Sequence, residues 1–148
     1  MRVAIIGLGR VGLPLGLFLD SLGVEVIGVD HDPALLALLR DRTMPFKESG
    51  CDELLMTANI TFHDSVPAAR EAEYIIVTVG TPLYNHIEAD LAFVKAVASD
   101  LVNVLRPGHM ILLRSTVAPE TTLFLKNYLE HRTSLKVGED FGLAFCPE

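Results

Sequence analysis

The opening stretch "MRVAIIGLGRVGLPLG" constrains this chain more than any other. It sets Gly7, Gly9 and Gly12 directly after a short apolar run and ahead of apolar residues at helical spacing. Strand, tight turn and helix in that order fit a phosphate-cradling element. The first glycine allows the turn, the second lets the backbone approach a pyrophosphate without a Cβ clash, and the third lets the helix pack close to the strand. Gly16, one turn later, extends the same smooth face. Backbone N–H groups near Arg10 and Val11 would point at the phosphates, helped by the helix dipole. A plain strand-to-helix turn has the same spacing, so the remaining sequence has to decide.

The pattern continues in alternation. "VEVIGVD" reads as a second strand, and "DPALLALLRD" as a helix with Asp32 at the N-cap and Pro33 in its first position. "ESGCDELLM" predicts a short helix, "NITFH" a weak strand and "DSVPAAREAE" another short helix. "EYIIVTVG" and "HMILLRS" are strong strands, and "FGLAFCPE" begins as one. "EADLAFVKAVASDLVNVLRPG" is the longest helical pattern, and "APETTLFLKNYLEHR" is a helix with Pro119 suited to its first turn. Strands separated by helices imply parallel pairing with right-handed crossovers. The fold class is therefore α/β: a Rossmann doubly wound parallel sheet of six strands in the order 3-2-1-4-5-6, with residues 1–148 forming one domain. Ligands of such sheets sit beyond the carboxyl ends of the strands, so the informative residues should follow strands directly.

Asp30 does so. It closes "VEVIGVD" about 20 residues past the glycines, where a carboxylate accepts hydrogen bonds from the adenosine ribose. The same carboxylate repels a 2′-phosphate, which favours NAD over NADP. The structural alternative is a set of turn glycines with a helix-capping aspartate. The net charge of −7 argues against a nucleic-acid partner, which needs a basic face. Cys51 and Cys146 lie far apart with no CxxC spacing, and the five histidines are scattered, so neither a disulfide framework nor a metal site is expected. No apolar run approaches the roughly 18 residues of a membrane helix, and "VAIIGLG" is too short and too glycine-broken for a signal segment. A cytoplasmic protein with no membrane partner is the expectation.

Three segments follow the later strands: "VGTPLYNHIEADL", "RSTVAPETT" and "FCPE". With "GLGRVGLPLG", "GVDHDP" and "LRPG" they resemble, in order and spacing and along the whole chain, the N-terminal domain of the nucleotide-sugar 6-dehydrogenases. These include UDP-glucose dehydrogenase and, more closely, the UDP-N-acetylmannosamine and UDP-N-acetylglucosamine dehydrogenases; "CPE" tilts toward the N-acetylated-sugar branch. The resemblance implies NAD as cofactor, with Gly7, Gly9, Arg10, Val11 and Gly12 at the pyrophosphate and Asp30 at the ribose. It places Thr81, Ser115 and Thr116 along the cofactor cleft, with Thr116 also helping to place a catalytic water. Glu148 matches a glutamate of the catalytic centre, where a carboxylate orients or deprotonates water. The structural alternatives are a strand-ending turn residue for Thr81, a helix-capping hydroxyl for Thr116 and a frayed terminus for Glu148.

Some positions depart from the family pattern. Glu120 stands where glycine is common, "YNHIEAD" lacks the usual glycine and proline, and Leu35 replaces a Lys or Arg near the ribose acid. In the family a hydride leaves the sugar C6 twice and the aldehyde is held on a cysteine well beyond residue 148. Cys146 is read instead as a small buried packing residue. The family's central dimerising helix and its UDP-sugar-binding domain are also absent, so the isolated chain is expected to bind NAD without turnover. A UDP-sugar is then a partner of the longer enzyme only, and an uncovered apolar face favours self-association. Three rival readings remain: a 6-phosphogluconate or β-hydroxyacid type dehydrogenase domain, an NAD-sensing regulatory module without catalytic groups, and a bare Rossmann scaffold that has lost its ligand, which Leu35 and Glu120 favour.

Overall fold

The computed structural model describes residues 1–80, 83–84, 88–89 and 92–147. Thr81 and Glu148 lie outside the described residues. The order of elements begins β1 (Arg2–Ile6), α1 (Gly12–Ser21), β2 (Glu25–Val29), α2 (Pro33–Arg40), α3 (Cys51–Thr57), β3 (Thr61–His63) and a 3-10 helix (Val66–Glu71). It continues with β4 (Tyr74–Val77), β5 (Leu83–Tyr84), β6 (Glu88–Ala89), α4 (Ala92–Leu101), β7 (Met110–Leu113), α5 (Thr121–Thr133) and β8 (Gly142–Phe145). Six strands form one sheet in the order β3-β2-β1-β4-β7-β8, every neighbouring pair parallel. With the separate antiparallel pair β5–β6 set aside, this is the 3-2-1-4-5-6 order expected from the sequence. The reversal falls between β1 and β4, where successive crossovers leave in opposite directions and a crevice opens.

The two faces of the sheet are covered by different helices, and the period-2 alternation of strand side chains assigns them. In β1, Val3 and Ile5 join the cluster built with Leu13 and Leu17 of α1, Leu36 and Leu39 of α2 and Leu55 of α3. Ala4 and Ile6 turn the other way, into a cluster with Val94 and Leu101 of α4 and Leu125 and Leu129 of α5. Both faces of the central strands are dry, so the strands read as near-continuous apolar runs.

Local differences from the sequence reading have physical causes. The α2 cap is as expected: Asp32 accepts from the N–H groups of Ala34 and Leu35, with Pro33 in the first turn. The segment around "VPAARE" is a 3-10 helix rather than an α-helix, starting with Pro67 in its first turn. Glu88–Ala89 pair with Leu83–Tyr84 instead of opening the long helix. The helix starting at Thr121 begins later than Pro119 suggested, because Glu120 takes a left-handed conformation (φ 69°) at its N-cap. That is the position where the family commonly has glycine, which reaches this region without a Cβ penalty.

Candidate functional site

The glycine turn is fixed from three directions. Gly7 has φ +98° and donates its N–H to the carbonyl of Val29 at 2.8 Å, tying the turn to the end of β2. A Cβ on Gly12 would run into the carbonyl oxygen of Gly7 and the hydroxyl of Thr78, so the start of α1 can sit this close to β1 only as glycine. Thr78, buried just past β4, lies with its hydroxyl 2.7 Å from the Gly7 carbonyl oxygen and 3.1 Å from that of Ile6. Gly9 differs: nothing stands within 4 Å of its notional Cβ. A side chain at this position would meet open space.

Asp30 holds the same turn with its side chain. One carboxylate oxygen accepts from the N–H of Leu8 at 2.7 Å, the other from that of Asp32 at 3.0 Å, and the side chain is only 10% exposed. Backbone donors thus preset its orientation while lone pairs remain for a ligand, since an ionised carboxylate has about four acceptor sites. Arg10 is exposed and rests on the ring of Phe46, 5.2 Å from its centroid. Val11 is the N-cap of α1; in the first turn Leu13 donates its N–H to the Gly9 carbonyl at 3.1 Å and Pro14 has none to give.

Two cavities flank this turn at the carboxyl ends of the strands. The larger, about 610 Å³, runs from Gly7 and Asp30 past the start of the 3-10 helix to α4, over an apolar floor that includes Val29, Val66 and Val97. The smaller, about 240 Å³, joins Gly9, Arg10 and Val11 to the ends of β4 and β7 and includes Arg114, Ser115 and Thr116. Ser115 is buried and donates its hydroxyl to the Val79 carbonyl at 2.7 Å, bracing the end of β7 against that of β4. Thr116 is exposed at the same cleft. The structure therefore brings together Gly7, Gly9, Arg10, Val11, Gly12, Asp30, Ser115 and Thr116 along one line of strand ends.

Two residues were absent from the sequence reading or misread by it. Thr78 was not singled out, although a polar residue closing the apolar run "YIIV" was a usable signal. Cys146 is exposed rather than buried, which corrects the expectation of a packing residue. It lies one position past β8, an edge strand, and its thiol sits 3.8 Å from the Arg114 guanidinium. Cys51 is the buried cysteine, and burial pushes its thiol pKa up. Among the described residues no three His, Cys, Asp or Glu side chains are placed to share a metal ion, and no helix is long and apolar enough to cross a membrane.

Comparison with known proteins agrees with this geometry. The family model "UDP-glucose/GDP-mannose dehydrogenase family, NAD binding domain" matches residues 1–148. The UDP-N-acetyl-D-mannosamine dehydrogenase of Pyrococcus horikoshii is 29% identical over 152 residues, covering 100% of this chain and 36% of that protein. The GDP-mannose 6-dehydrogenase of Pseudomonas syringae pv. syringae is 34% identical over 157 residues, with the same coverage of 100% and 36%. In three dimensions the chain is similar to a ternary complex of GDP-mannose dehydrogenase from Pseudomonas aeruginosa, with TM-score 0.93 at 30% identity over 100% of this chain and 36% of that one. The chain thus spans about a third of the length of these relatives. The cavities, the pinned glycine turn and this match lead to one assignment: the chain belongs to the UDP-glucose/GDP-mannose dehydrogenase family, as its NAD-binding domain.

Proposed function

We infer that residues 1–148 act as one unit that binds NAD along the carboxyl ends of the strands, as the front of a longer cytoplasmic nucleotide-sugar 6-dehydrogenase. The observation that carries this reading is the pairing of an open Gly9 with an Asp30 carboxylate locked onto the same turn. The pyrophosphate would lie on the N–H groups of Gly9 to Gly12, with Arg10 as the nearby cation. Asp30 would accept from the adenosine ribose hydroxyls, leaving the nicotinamide end toward Thr81, Ser115 and Thr116. A dinucleotide with a 2′-phosphate would bring that dianion against a carboxylate that cannot turn away, because both of its oxygens are already held by backbone donors.

The parent reaction would take the C6 alcohol of a nucleotide-diphosphate sugar, such as a UDP-sugar, to a carboxylate. Two equivalents of NAD, when bound, accept the two hydrides, and one water supplies the second oxygen. Thr116 would position that water, and Glu148 would orient it or take its proton. The isolated chain carries no group we assign as nucleophile, so it should bind cofactor without producing uronate. Calorimetric titration with NAD and NADP tests the reading. Binding of NAD with little or none of NADP is expected, and equal affinities would contradict the role given to Asp30. Uronate formed from a UDP-sugar by this chain alone would contradict the division of labour.

A further inference from the structure

Arg10 is held by a side chain that the cofactor reading leaves unused. Its guanidinium lies over the ring of Phe46, 5.2 Å from the centroid. Arg10 belongs to the glycine turn, whereas Phe46 belongs to the connection between α2 and α3. That connection is tied down along its length. The Thr43 N–H donates to the Leu38 carbonyl at 2.9 Å. Arg42 takes a left-handed conformation (φ 58°) and donates from its guanidinium to the carbonyls of Leu55 and Ala58, at the end of α3. Phe46 itself is half-buried and packs against the core cluster on the α1 side of the sheet. A further cavity, of about 300 Å³, is lined by both segments: Gly9 and Arg10 from the turn, Pro45 and Phe46 from the connection.

Stacking and hydrogen bonding use different parts of a guanidinium. Its flat face meets the ring, while its N–H donors point outward in its plane. Among the described residues Arg10 has neither a hydrogen-bond acceptor nor a carboxylate partner. Its face is engaged and its donors are not. Such a group is preorganised for an anion, because its rotamers are restricted before the ligand arrives. Arg10 also lines the smaller cavity, beside Gly9 and Val11. We propose that Phe46 is a positioning residue for phosphate binding: it acts through Arg10, fixing the guanidinium beside the open Gly9 with its donors free. The α2–α3 connection thereby takes part in a phosphate site to which it brings no polar group of its own. This role rests on the cofactor placement given under Proposed function.

Calorimetry with NAD on the 148-residue chain tests the role, together with the NMR signature of the contact. The Arg10 δ-methylene protons should be shifted upfield by the ring current of Phe46. Phe46→Leu keeps apolar bulk without the ring. It should abolish that shift and weaken NAD binding about threefold. Phe46→Tyr should restore both, because the π-face returns. Arg10→Ala should weaken NAD about tenfold. Adding Phe46→Leu to Arg10→Ala should cost nothing further, the non-additivity of two residues acting as one unit. Added salt should narrow the gap between the wild type and each variant, as screening of a charge contact requires. Affinity unmoved by Phe46→Leu would overturn the role. So would an equal loss from Phe46→Leu in the wild type and in Arg10→Ala, which would trace the effect to core packing. In both cases a Gly9→Val variant that still weakens NAD leaves the cofactor placement standing. If Gly9→Val changes nothing while Phe46→Leu acts through Arg10, the role stands and the placement over Gly9 fails. No binding of NAD to the wild type at millimolar concentration would overturn both.

Discussion

The two halves of the sheet solve different problems. In the half made of β1, β2 and β3, the site is held by the chain's own backbone. Gly7 bonds to Val29, Leu8 and Asp32 bond to the Asp30 carboxylate, and α1 begins against the Gly7 carbonyl. In the half made of β4, β7 and β8, Thr78 and Ser115 spend their hydroxyls bracing strand ends, while Thr116, Arg114 and Cys146 stand at or past those ends. The first half sets the glycine turn mainly through its own backbone, with Thr78 of the other half added at the Gly7 carbonyl and His63 at the Asp30 N–H. The second is a platform that presents groups toward chemistry which, in the reading above, needs further chain. Preorganisation on one side and exposed groups on the other is how a cofactor domain can be rigid where it binds and adaptable where it reacts.

The contrast can be broken most severely at Gly12. Gly12→Ala puts a methyl into backbone that cannot yield, and it should cost about 3 kcal/mol or more in urea unfolding. A change of Cys146→Ser on the opposite half should cost under about 0.5 kcal/mol, as for an exposed side chain. If the two cost the same, the first half is not the rigid one. Next comes Asp30→Ala, which leaves the N–H groups of Leu8 and Asp32 without their acceptor. A loss of about 1–3 kcal/mol is expected, together with weaker NAD binding.

A smaller effect belongs to the far end of the second half. His109 is buried at the start of β7, with Nδ1 accepting from the Arg106 N–H at 3.3 Å and Nε2–H directed at the Arg70 carbonyl at 3.1 Å. Burial is the main cause that holds its pKa below the ordinary value of 6.5; the bond to Arg70 opposes it, and the charges of Arg106 and Arg70 add to it. The folded state therefore binds its proton later than the unfolded one. Stability from this group is complete above about pH 6.5 and is lost as pH falls from there toward the lowered folded value. Melting temperature should drop between pH 7 and pH 5, and His109→Gln should flatten that slope. A slope unchanged in the variant would assign the acid sensitivity elsewhere. The smallest expected change is at Glu120, whose φ of 69° costs a side chain more than it costs glycine. Glu120→Gly should raise stability by about 0.5 kcal/mol, the strain relieved less the flexibility gained by the unfolded chain. A loss of stability would show that the left-handed turn is held by more than its backbone.

The first half was nearly all legible in the sequence, because its signals are local. Gly7, Gly9 and Gly12, the Asp32–Pro33 cap and the apolar runs each follow from their immediate neighbours. What sequence could not display is contact between distant segments. Asp30 was read as a ribose acid, and its equal role as the acceptor that locks Leu8 emerged only from the fold. Thr78 acts through a hydroxyl that meets Gly7 across the sheet, and His31 meets Phe93 from a different element. Cys146 was misjudged because a small apolar residue after a strand is usually covered, whereas here the strand is at the sheet edge. Glu120 was noted as a departure from the family pattern, and only the backbone angle showed that the departure sits in glycine's conformation.

If the opening glycines leave room for a cofactor rather than merely turn the chain, Gly9 is the position that shows it. The direct measurement is a calorimetric titration of NAD into the wild type and Gly9→Val, each with its melting temperature. Open space around Gly9 predicts unchanged melting and NAD affinity lowered by about tenfold or more. Unchanged affinity in a folded Gly9→Val protein would contradict it, and the three glycines would then be a turn and nothing else.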